Sequence, residues 1–242
     1  MDKKTIRQLN RVNKEFYLQS QEYFNRTRQY YWSGWEKLLP YLQGKSLKVL
    51  DVGCGNGRFG KFLKENIKNI DYIGIDNNEY LLKQAKKNVA GSKLIKQDVL
   101  QAWRLGKEKF DLVVMIGLLH HIPGFENRVK ILRKAKDSLK ENGLIILTVW
   151  QFNKLKRMTR KIVPWQKFKK LTKINVDVKN LEKNDYIINW KKGPTAYRFV
   201  HLIDEEEVDQ ILKRLNMQLV ADFEADAKKG QGNRYIILKP AA

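Results

Sequence analysis

The middle of the chain alternates between short apolar runs and amphipathic stretches. The apolar runs predict buried strands at residues 47–51, 72–76, 93–95, 110–116 and 144–150. Apolar residues three and four positions apart predict helices after Gly57, at 79–89 and at 126–139, the last ended by Asn142-Gly143. Near-continuous apolar strands that alternate with helices are typical of a parallel sheet covered on both faces. The pattern therefore predicts an α/β fold.

Both ends of the chain add further elements. Apolar residues at helical spacing predict a helical extension over residues 1–45 that stops near Gly44. Towards the other end, Asp204 is expected to cap a helix that reaches about Leu215, with Glu207 completing a capping box. Two runs joined by a short glycine-rich turn predict an antiparallel pair of strands, at residues 217–224 and 233–239.

These elements divide the chain into consecutive segments. The helical extension, 1–45, precedes an α/β core at 46–150. An insert rich in basic and aromatic residues follows at 151–200. Residues 201–242 hold the last helix and the antiparallel strand pair, which we expect to complete the core sheet.

The chain is strongly basic. Its 242 residues include 48 Lys and Arg against 26 Asp and Glu, a formal net charge of +22. Nearly half of this excess lies between residues 151 and 195, where aromatic residues are interspersed. Such a charge on a folded domain suggests a polyanionic partner such as nucleic acid, although a solubilising basic surface has the same composition.

Composition also narrows the cellular setting and the metal chemistry. Cys54 is the only cysteine, which excludes an internal disulfide and a zinc site made of several thiolates. Three histidines, two of them adjacent, make a poor metal cage, so no metal site is predicted. No apolar run is long enough to span a bilayer, and the N-terminus has no apolar signal core. We expect a protein of the reducing cytoplasm with no membrane partner.

A glycine-rich turn follows the first predicted strand and opens the next helix: Asp51-Val-Gly-Cys-Gly-Asn-Gly57. Glycines let the backbone turn sharply and approach a ligand, and the helix N-terminus offers unpaired N–H groups. Asp76 ends the second strand, where a carboxylate accepts both hydroxyls of a ribose. Asp98 follows the third strand, within reach of an adenine edge. Each acidic residue alone is better explained as a cap, but together with the glycines they favour a nucleotide site.

This set of residues, from about Leu47 to Trp150, resembles the class I S-adenosylmethionine-dependent methyltransferases. The resemblance implies a Rossmann-like seven-stranded sheet whose last strand runs antiparallel, and S-adenosyl-L-methionine as the cofactor. It implies that Asp51 holds the amino group of the cofactor and that Asp76 binds its ribose. The cofactor-binding residues that it implies are Tyr17, Asp51, Gly53, Cys54, Gly55, Asn56, Gly57, Asp76, Asn77, Asp98, Val99, Gly117 and Leu118.

Shorter motifs extend a resemblance over nearly the whole chain. They are Phe24-Asn-Arg-Thr-Arg28 with Tyr17 placed 11 residues before its last Arg, His120-His121, Val149-Trp150, Asp185 to Trp190, and Arg198-Phe-Val-His201. Together they are similar to motifs of the tRNA methyltransferases that esterify 5-carboxymethyluridine at the wobble position. The resemblance implies the tRNA anticodon stem-loop as a partner and, as in eukaryotic members, a small zinc-binding activator protein.

The chemistry of a carboxylate acceptor indicates which residue types the methyl transfer needs. A carboxymethyl carboxylate, with an ordinary pKa of about 4, is already ionised at neutral pH and needs no general base. Because an Arg guanidinium binds a carboxylate through two hydrogen bonds, Arg28 and Arg198 are expected to hold it at the catalytic centre, with His120 and His201 as further donors. The other residues expected to contact the substrate are Trp150, Trp190, Tyr197, Lys154, Arg157 and Arg160.

Two other functions remain open at this stage. A methyltransferase for a small molecule or lipid would use the insert as a lid, and salt-sensitive RNA binding separates it from a tRNA enzyme. A non-catalytic RNA-binding protein that retains the fold would fail to bind the cofactor. Single residues also have structural explanations: Arg28 as the partner of a core carboxylate, His121 as a loop residue and Cys54 as a small filler.

Overall fold

The computed structural model describes residues 1–42, 46–190 and 195–241, and Gly44 lies outside these ranges. A long helix, α1 (Lys3–Arg26), and a 3-10 helical segment (Ser33–Tyr41) precede the core. The core elements are β1 (Leu47–Val52), α2 (Arg58–Asn66), β2 (Ile70–Asp76), α3 (Glu79–Asn88), β3 (Lys93–Lys96), β4 (Phe110–Ile116), α4 (Phe125–Asp137) and β5 (Leu139–Trp150). The insert contains α5 (Lys156–Thr159), β6 (Ile162–Val163), α6 (Trp165–Thr172), β7 (Asp185–Trp190) and β8 (Ala196–His201). The last elements are α7 (Glu205–Leu215), β9 (Met217–Ala225) and β10 (Asn233–Pro240).

The core sheet has seven strands in the order β3-β2-β1-β4-β5-β10-β9. β1 pairs in parallel with β2 and β4, β2 with β3, and β4 with β5. β10 runs antiparallel to both of its neighbours, β5 and β9. This topology confirms the expected seven-stranded sheet with its last strand antiparallel. Because the strand order reverses between β1 and β4, the carboxyl ends of these strands flank a crevice where ligands bind in such folds.

Helices cover both faces of this sheet because its strands are apolar on both sides. Along β1, Val49 faces a cluster that includes Phe59 of α2, whereas Leu50 faces a cluster that includes Ile131 of α4 and Ile211 of α7. Each fully buried side chain of this size contributes about 1.5–3 kcal/mol to folding. In the described ranges, no helix combines the length and the apolar character that crossing a bilayer requires.

The insert folds into a second, small antiparallel sheet in the order β6-β7-β8. α1 packs across it, with Leu9 and Val12 in one buried cluster with Phe199. Asn13 joins the two: its Nδ2 donates to the His121 carbonyl at 3.1 Å, and its Oδ1 accepts from the Phe199 N–H at 2.9 Å. We call α1 and this three-stranded sheet the cap. Its assembly from two distant parts of the chain was not predicted from the sequence.

The predicted helical extension consists of two segments, since α1 ends at Arg26 and a separate 3-10 segment follows. One local prediction of secondary structure was wrong. Asn142-Gly143 does not end α4, because that helix stops at Asp137 and β5 already begins at Leu139. Gly143 lies inside the strand, where a Cβ would lie 2.9 Å from the Phe110 carbonyl oxygen. The glycine is therefore needed for close strand contact and not for a helix end.

Candidate active site

The turn after β1 holds three glycines in left-handed conformations. Gly53, Gly55 and Gly57 have φ angles of 78°, 55° and 73°, a region that costs a residue with a side chain about 1–2 kcal/mol. A Cβ on Gly53 would lie 3.0 Å from Leu118, whereas none of the described atoms lies within 4 Å of a Cβ placed on Gly55. The backbone at Gly55 therefore borders open space into which a ligand can fit.

Asp76 ends β2 with its carboxylate beside this turn. Its Oδ2 accepts from the Gly55 N–H and its Oδ1 from the Asn78 N–H, both at 2.8 Å. Burial raises the pKa of Asp76, and the backbone hydrogen bonds partly oppose this. Each oxygen keeps a lone pair for a further donor. The Asp76 carboxylate can therefore still accept hydrogen bonds from the two ribose hydroxyls, as expected from the sequence.

A cavity of about 690 Å³ lies at this edge of the sheet, walled on one side by α1. Its volume lies within the range typical of small-molecule sites. α1 contributes Asn10, Asn13 and Lys14 to the wall. The predicted cofactor residues that line it are Tyr17, Gly53, Gly55, Asp76, Asn77, Asp98, Val99, Gly117 and Leu118. The structure thus brings most of that predicted set around one space.

A second cavity, of about 310 Å³, adjoins the first. Both cavities share Tyr17, Gly53, Gly55 and Gly117. The smaller cavity adds three more predicted cofactor residues, Asp51, Cys54 and Asn56. The predicted substrate residues in its lining are Arg28, His120, Trp150, Arg157 and Arg198. Gly57 lines neither cavity and instead directly precedes α2. A Cβ at this position would lie 3.0 Å from the Cβ of Ala85, so the close contact favours glycine.

Arg28 and Arg198 face the smaller cavity without a carboxylate partner in the described ranges. The guanidinium carbon Cζ of Arg198 lies 4.8 Å from the ring centroid of Trp150, and that of Arg28 lies 3.9 Å from the ring of Phe24. Both arginines also contact the ring of Trp190, at 5.5 Å from Arg28 and 6.0 Å from Arg198. Burial, and after it the charge of Arg198, lowers the pKa of Arg28 to about 9. The proposed pairing of Arg28 with a core carboxylate is therefore wrong for this part of the chain.

Buried polar atoms without a hydrogen-bond partner cluster around the smaller cavity. In the part of the chain that the structure describes, they include Trp35 Nε1, Asp51 Oδ1, His120 Nδ1 and Arg198 Nε, and all four residues line this cavity. A buried polar group that makes no hydrogen bond costs about 1–3 kcal/mol. Their shared location indicates that a polar ligand satisfies them.

Asp51 fits the amino group of the cofactor. The Tyr72 hydroxyl donates to its Oδ2 at 2.6 Å, while its Oδ1 is one of the orphaned atoms. Burial raises the pKa of Asp51 to about 7, because removal from water disfavours the charged carboxylate. A cationic amino group beside Oδ1 would satisfy that oxygen and stabilise the carboxylate.

The two adjacent histidines serve different purposes. Burial, helped by the charge of Arg198, lowers the pKa of His120 to about 3, so this ring is neutral at physiological pH. His121 donates from Nδ1 to the Phe199 carbonyl at 3.0 Å, and burial also lowers its pKa. His121 thus ties the loop after β4 to β8, which agrees with its structural explanation.

His201 lies outside both cavities, which corrects its expected acceptor-binding role. Its Nδ1 contacts Asp185 and its Nε2 contacts Glu207, both at 2.7 Å, so neither ring nitrogen is left for a substrate. Glu207 also accepts from Arg128 at 2.5 Å. Burial lowers the pKa of His201, but the bonds to the two carboxylates outweigh it and raise the pKa above its ordinary value. Only half of the predicted capping box exists: Asp204 accepts from the Glu207 N–H, whereas the Glu207 carboxylate belongs to this buried network.

Four further predicted substrate residues also line neither cavity, and one of them, Trp190, contacts Arg28 and Arg198. Tyr197 packs edge-on against Phe168 in the cap, with ring centroids 5.6 Å apart. Lys154 pairs with Glu224. Arg160 is exposed on the insert surface. Tyr197 is therefore a packing residue of the cap, and the two basic residues are surface groups.

Sequence reasoning missed several residues of the smaller cavity, among them Trp32, Trp35 and Arg58. Trp32 covers Gly117, with Cη2 3.7 Å from a Cβ placed on that glycine. The Arg58 guanidinium stacks on both indoles, 5.1 Å from the ring of Trp32 and 4.8 Å from that of Trp35. The position of Arg58 directly after the glycine turn was an available signal. Nothing in the spacing connects the two tryptophans to that turn.

Comparison with known proteins agrees with this fold. Residues 50–145 match a family described as a methyltransferase domain. A putative methyltransferase of Encephalitozoon cuniculi is 27% identical over 79% of this chain and 80% of that protein. The tRNA (carboxymethyluridine(34)-5-O)-methyltransferase of Saccharomyces cerevisiae is 28% identical over 53% of this chain, a match that spans 44% of the yeast protein. The crystal structure of an S-adenosylmethionine-dependent methyltransferase from Clostridium acetobutylicum is similar with a TM-score of 0.65 and 16% identity, over 95% of this chain and 98% of that one.

The fold, the glycine turn and these matches together are similar to those of the class I S-adenosylmethionine-dependent methyltransferases, and they support S-adenosyl-L-methionine as the cofactor. Within that class, the chain resembles the tRNA carboxymethyluridine methyltransferases.

Proposed function

We propose that this protein methylates the carboxylate of 5-carboxymethyluridine at the wobble position of tRNA, forming a methyl ester. The observation that carries the proposal is the pair of arginines, half-buried Arg28 and buried Arg198, on the wall of the smaller cavity. Two guanidinium groups that have no carboxylate partner in the described ranges favour an anionic ligand between them. The similarity to the yeast enzyme supports this choice of acceptor.

The two cavities have complementary roles in this proposal. The larger cavity takes the nucleoside of S-adenosyl-L-methionine, which supplies an electrophilic methyl group when bound. The smaller cavity takes the acceptor. Tyr17 and Gly117 border both, so cofactor and acceptor meet beside them. Because the carboxylate is already ionised, no residue has to remove a proton, and catalysis consists of holding two reactants in line.

The arginines position the carboxylate and do not activate it. A guanidinium fork fixes both carboxylate oxygens, but it also draws electron density from them, which weakens the nucleophile. Trp150 and Trp190 stack on these guanidinium groups and restrict their movement. His120 is neutral, so its orphaned Nδ1 is available for a hydrogen bond to the acceptor without adding charge.

The test measures methyl transfer from labelled S-adenosyl-L-methionine to tRNA, with the modified nucleosides identified by mass spectrometry. We expect a new methyl ester on a carboxymethylated uridine. Arg198→Lys keeps the charge but loses the planar fork, so transfer should fall by roughly 100-fold while cofactor affinity stays nearly unchanged. Arg133→Lys, at an exposed position of α4 outside both cavities, is the matched control and should keep full activity.

Other outcomes would contradict the proposal in distinct ways. Methylation elsewhere on tRNA would retain the RNA substrate and exclude the carboxylate acceptor. Cofactor binding without transfer to tRNA that carries the carboxymethyl group, with and without an added small zinc-binding activator protein, would favour a small-molecule acceptor. Equal loss of cofactor binding and of transfer in Arg198→Lys would contradict the positioning role of this arginine.

A further inference from the structure

The smaller cavity carries more positive charge than one carboxylate requires. Four arginines line it: Arg28, Arg58, Arg157 and Arg198. None of them forms an ion pair with a carboxylate of the described residues, in contrast to buried Arg128, which pairs with Glu207. Arg28 and Arg198 both contact the ring of Trp190, and the charges of Arg198 and Arg58 both lower the pKa of Arg28.

Two carboxylates line the same cavity, and both are engaged elsewhere. Asp226 accepts from the Gly34 N–H at 2.9 Å, from Asn233 Nδ2 at 2.8 Å and from the Tyr235 hydroxyl at 2.6 Å. Asp51 accepts from a buried tyrosine hydroxyl and has one orphaned oxygen, which fits the cofactor's amino group. The charge of Asp226 opposes the lowering of the pKa of Arg58 by burial, but neither carboxylate forms an ion pair with any of the four arginines, so cations outnumber carboxylates around the cavity among the described residues. Such a site suits a ligand with more than one negative charge.

Arg58 and Arg157 are the two arginines that the carboxylate does not need. Arg58 is held in place by its stacking on Trp32 and Trp35 and by donation from Nη1 to the Tyr30 carbonyl. Burial lowers its pKa to about 10, so it remains cationic at neutral pH. Arg157 is exposed on α5, at the solvent side of the lining. One is thus a fixed group and the other a reachable surface group of the same cavity.

We infer that Arg58 and Arg157 bind a phosphate group next to the target nucleoside, so that the cavity takes a nucleotide within an RNA strand and not a free nucleoside. This inference rests on the proposed function, in which Arg28 and Arg198 hold the carboxylate. The guanidinium fork matches phosphate oxygens as well as it matches a carboxylate. Trp32, which contacts Arg58 and covers Gly117, offers a flat surface on which an unpaired base stacks.

Binding, measured without methyl transfer, tests the inference. A synthetic anticodon stem-loop RNA with plain uridine at the wobble position is titrated into protein saturated with S-adenosylhomocysteine, and fluorescence anisotropy gives the dissociation constant. In two further RNAs, the phosphate on the 5′ or the 3′ side of this uridine is replaced by a neutral methylphosphonate. We expect one of the two replacements to weaken binding roughly tenfold, because it removes the charge that the arginines contact.

Variants assign this loss to particular residues. Arg157→Ala should bind the unmodified RNA roughly tenfold more weakly and show little further loss with the sensitive methylphosphonate, because the contact is already absent. Lys156→Ala removes the same charge from the neighbouring exposed position, which lies outside both cavities, and should keep the full methylphosphonate effect. Arg58→Lys keeps the positive charge but loses the planar guanidinium fork, so the sensitive methylphosphonate should weaken binding to this variant less than it weakens binding to the wild-type protein.

Three results would overturn the inference. The first is that neither methylphosphonate weakens binding. The second is that the sensitive methylphosphonate weakens binding equally in the wild-type protein and in Arg157→Ala. The third is that Lys156→Ala abolishes the methylphosphonate effect as fully as Arg157→Ala does, which would show only diffuse electrostatic attraction. The methyl-transfer assay is separate. A phosphate contact that depends on Arg157, without any methyl ester, would support the inference and contradict the proposed acceptor. A methyl ester without that contact would do the reverse.

Discussion

Burial shifts the acid–base behaviour of the residues around the smaller cavity towards their neutral forms. The pKa of Asp51 is raised to about 7, that of His120 is lowered to about 3, and that of Arg28 is lowered to about 9. In each case, the first cause is loss of hydration of the charged form. At neutral pH, the arginines therefore carry the positive charge of the cavity, and the histidine contributes only hydrogen bonds.

The raised pKa of Asp51 predicts a pH-dependent affinity for the cofactor. The cationic amino group of S-adenosylhomocysteine binds the carboxylate form, so affinity should rise roughly tenfold between about pH 6 and about pH 8. Isothermal titration calorimetry measures this change. Asp51→Asn should bind weakly and show no such pH dependence, and a flat profile in the wild-type protein would contradict the assigned amino-group contact.

The same group affects the stability of the ligand-free protein in the opposite sense. Because the folded state raises the pKa of Asp51 from its ordinary value of 3.8 to about 7, the folded state binds the proton more tightly than the unfolded chain does. The contribution of Asp51 to stability is therefore largest at low pH and declines as pH rises through this interval.

Alternation along one strand explains which motif residues reach the substrate cavity. Successive side chains of a β-strand point to opposite faces. In β8, Arg198 points to one face and lines the smaller cavity, whereas Tyr197 and His201 lie on the other face, in the cap cluster and the buried ion network. The predicted roles of Tyr197 and His201 fail for this reason. Tyr197, Arg198 and His201 are close in the sequence, but they do not all lie on the same face of β8.

Both cavities depend on the attachment of α1 to the rest of the protein, because α1 lines each of them. Asn13→Ala would leave the Phe199 N–H and the His121 carbonyl without their partner. We expect a loss of about 1–3 kcal/mol in the free energy of unfolding, measured by urea titration, together with weaker cofactor binding. Gln19→Ala, on the exposed side of the same helix, should change neither quantity. Unchanged stability in Asn13→Ala would show that apolar packing alone holds the helix.

At the scale of the whole molecule, the net charge of +22 is unevenly distributed along the chain. The insert that carries nearly half of the excess is also the segment that contributes Arg157 and Arg198 to the smaller cavity. Exposed cations of the insert, such as Lys156 and Arg160, lie outside that cavity. This arrangement suits a large polyanion whose reactive group enters the cavity while its backbone contacts the surface.

Salt dependence separates an RNA substrate from a small molecule. Affinity for the anticodon stem-loop should fall roughly tenfold or more between about 50 mM and about 200 mM salt, as expected for two or more phosphate contacts. Filter binding or anisotropy measures the slope. Affinity for S-adenosylhomocysteine serves as the internal control and should change much less. A stem-loop affinity that does not respond to salt would favour the alternative in which the insert is a lid over a small-molecule pocket.

The sequence by itself determined the sheet, the glycine turn and the residue types of the cofactor site. These features are local: apolar periodicity sets each strand, and the left-handed angles of Gly53, Gly55 and Gly57 demand glycine where the chain turns. Strand ends then meet at one edge because parallel strands share their direction, which brought Asp76 to the larger cavity and Asp51 to the adjoining smaller one.

Only the tertiary structure decided how the acceptor side is built. The cap combines α1 with strands from the far end of the insert, and it brings Arg28 to Arg198 across most of the chain. No local spacing encodes such a contact, because it results from packing between elements and from the hydrogen bonds that Asn13 makes to both of them. The tertiary structure likewise separated His201 from Arg198, since a strand has two faces and only the folded environment determines which one borders the cavity.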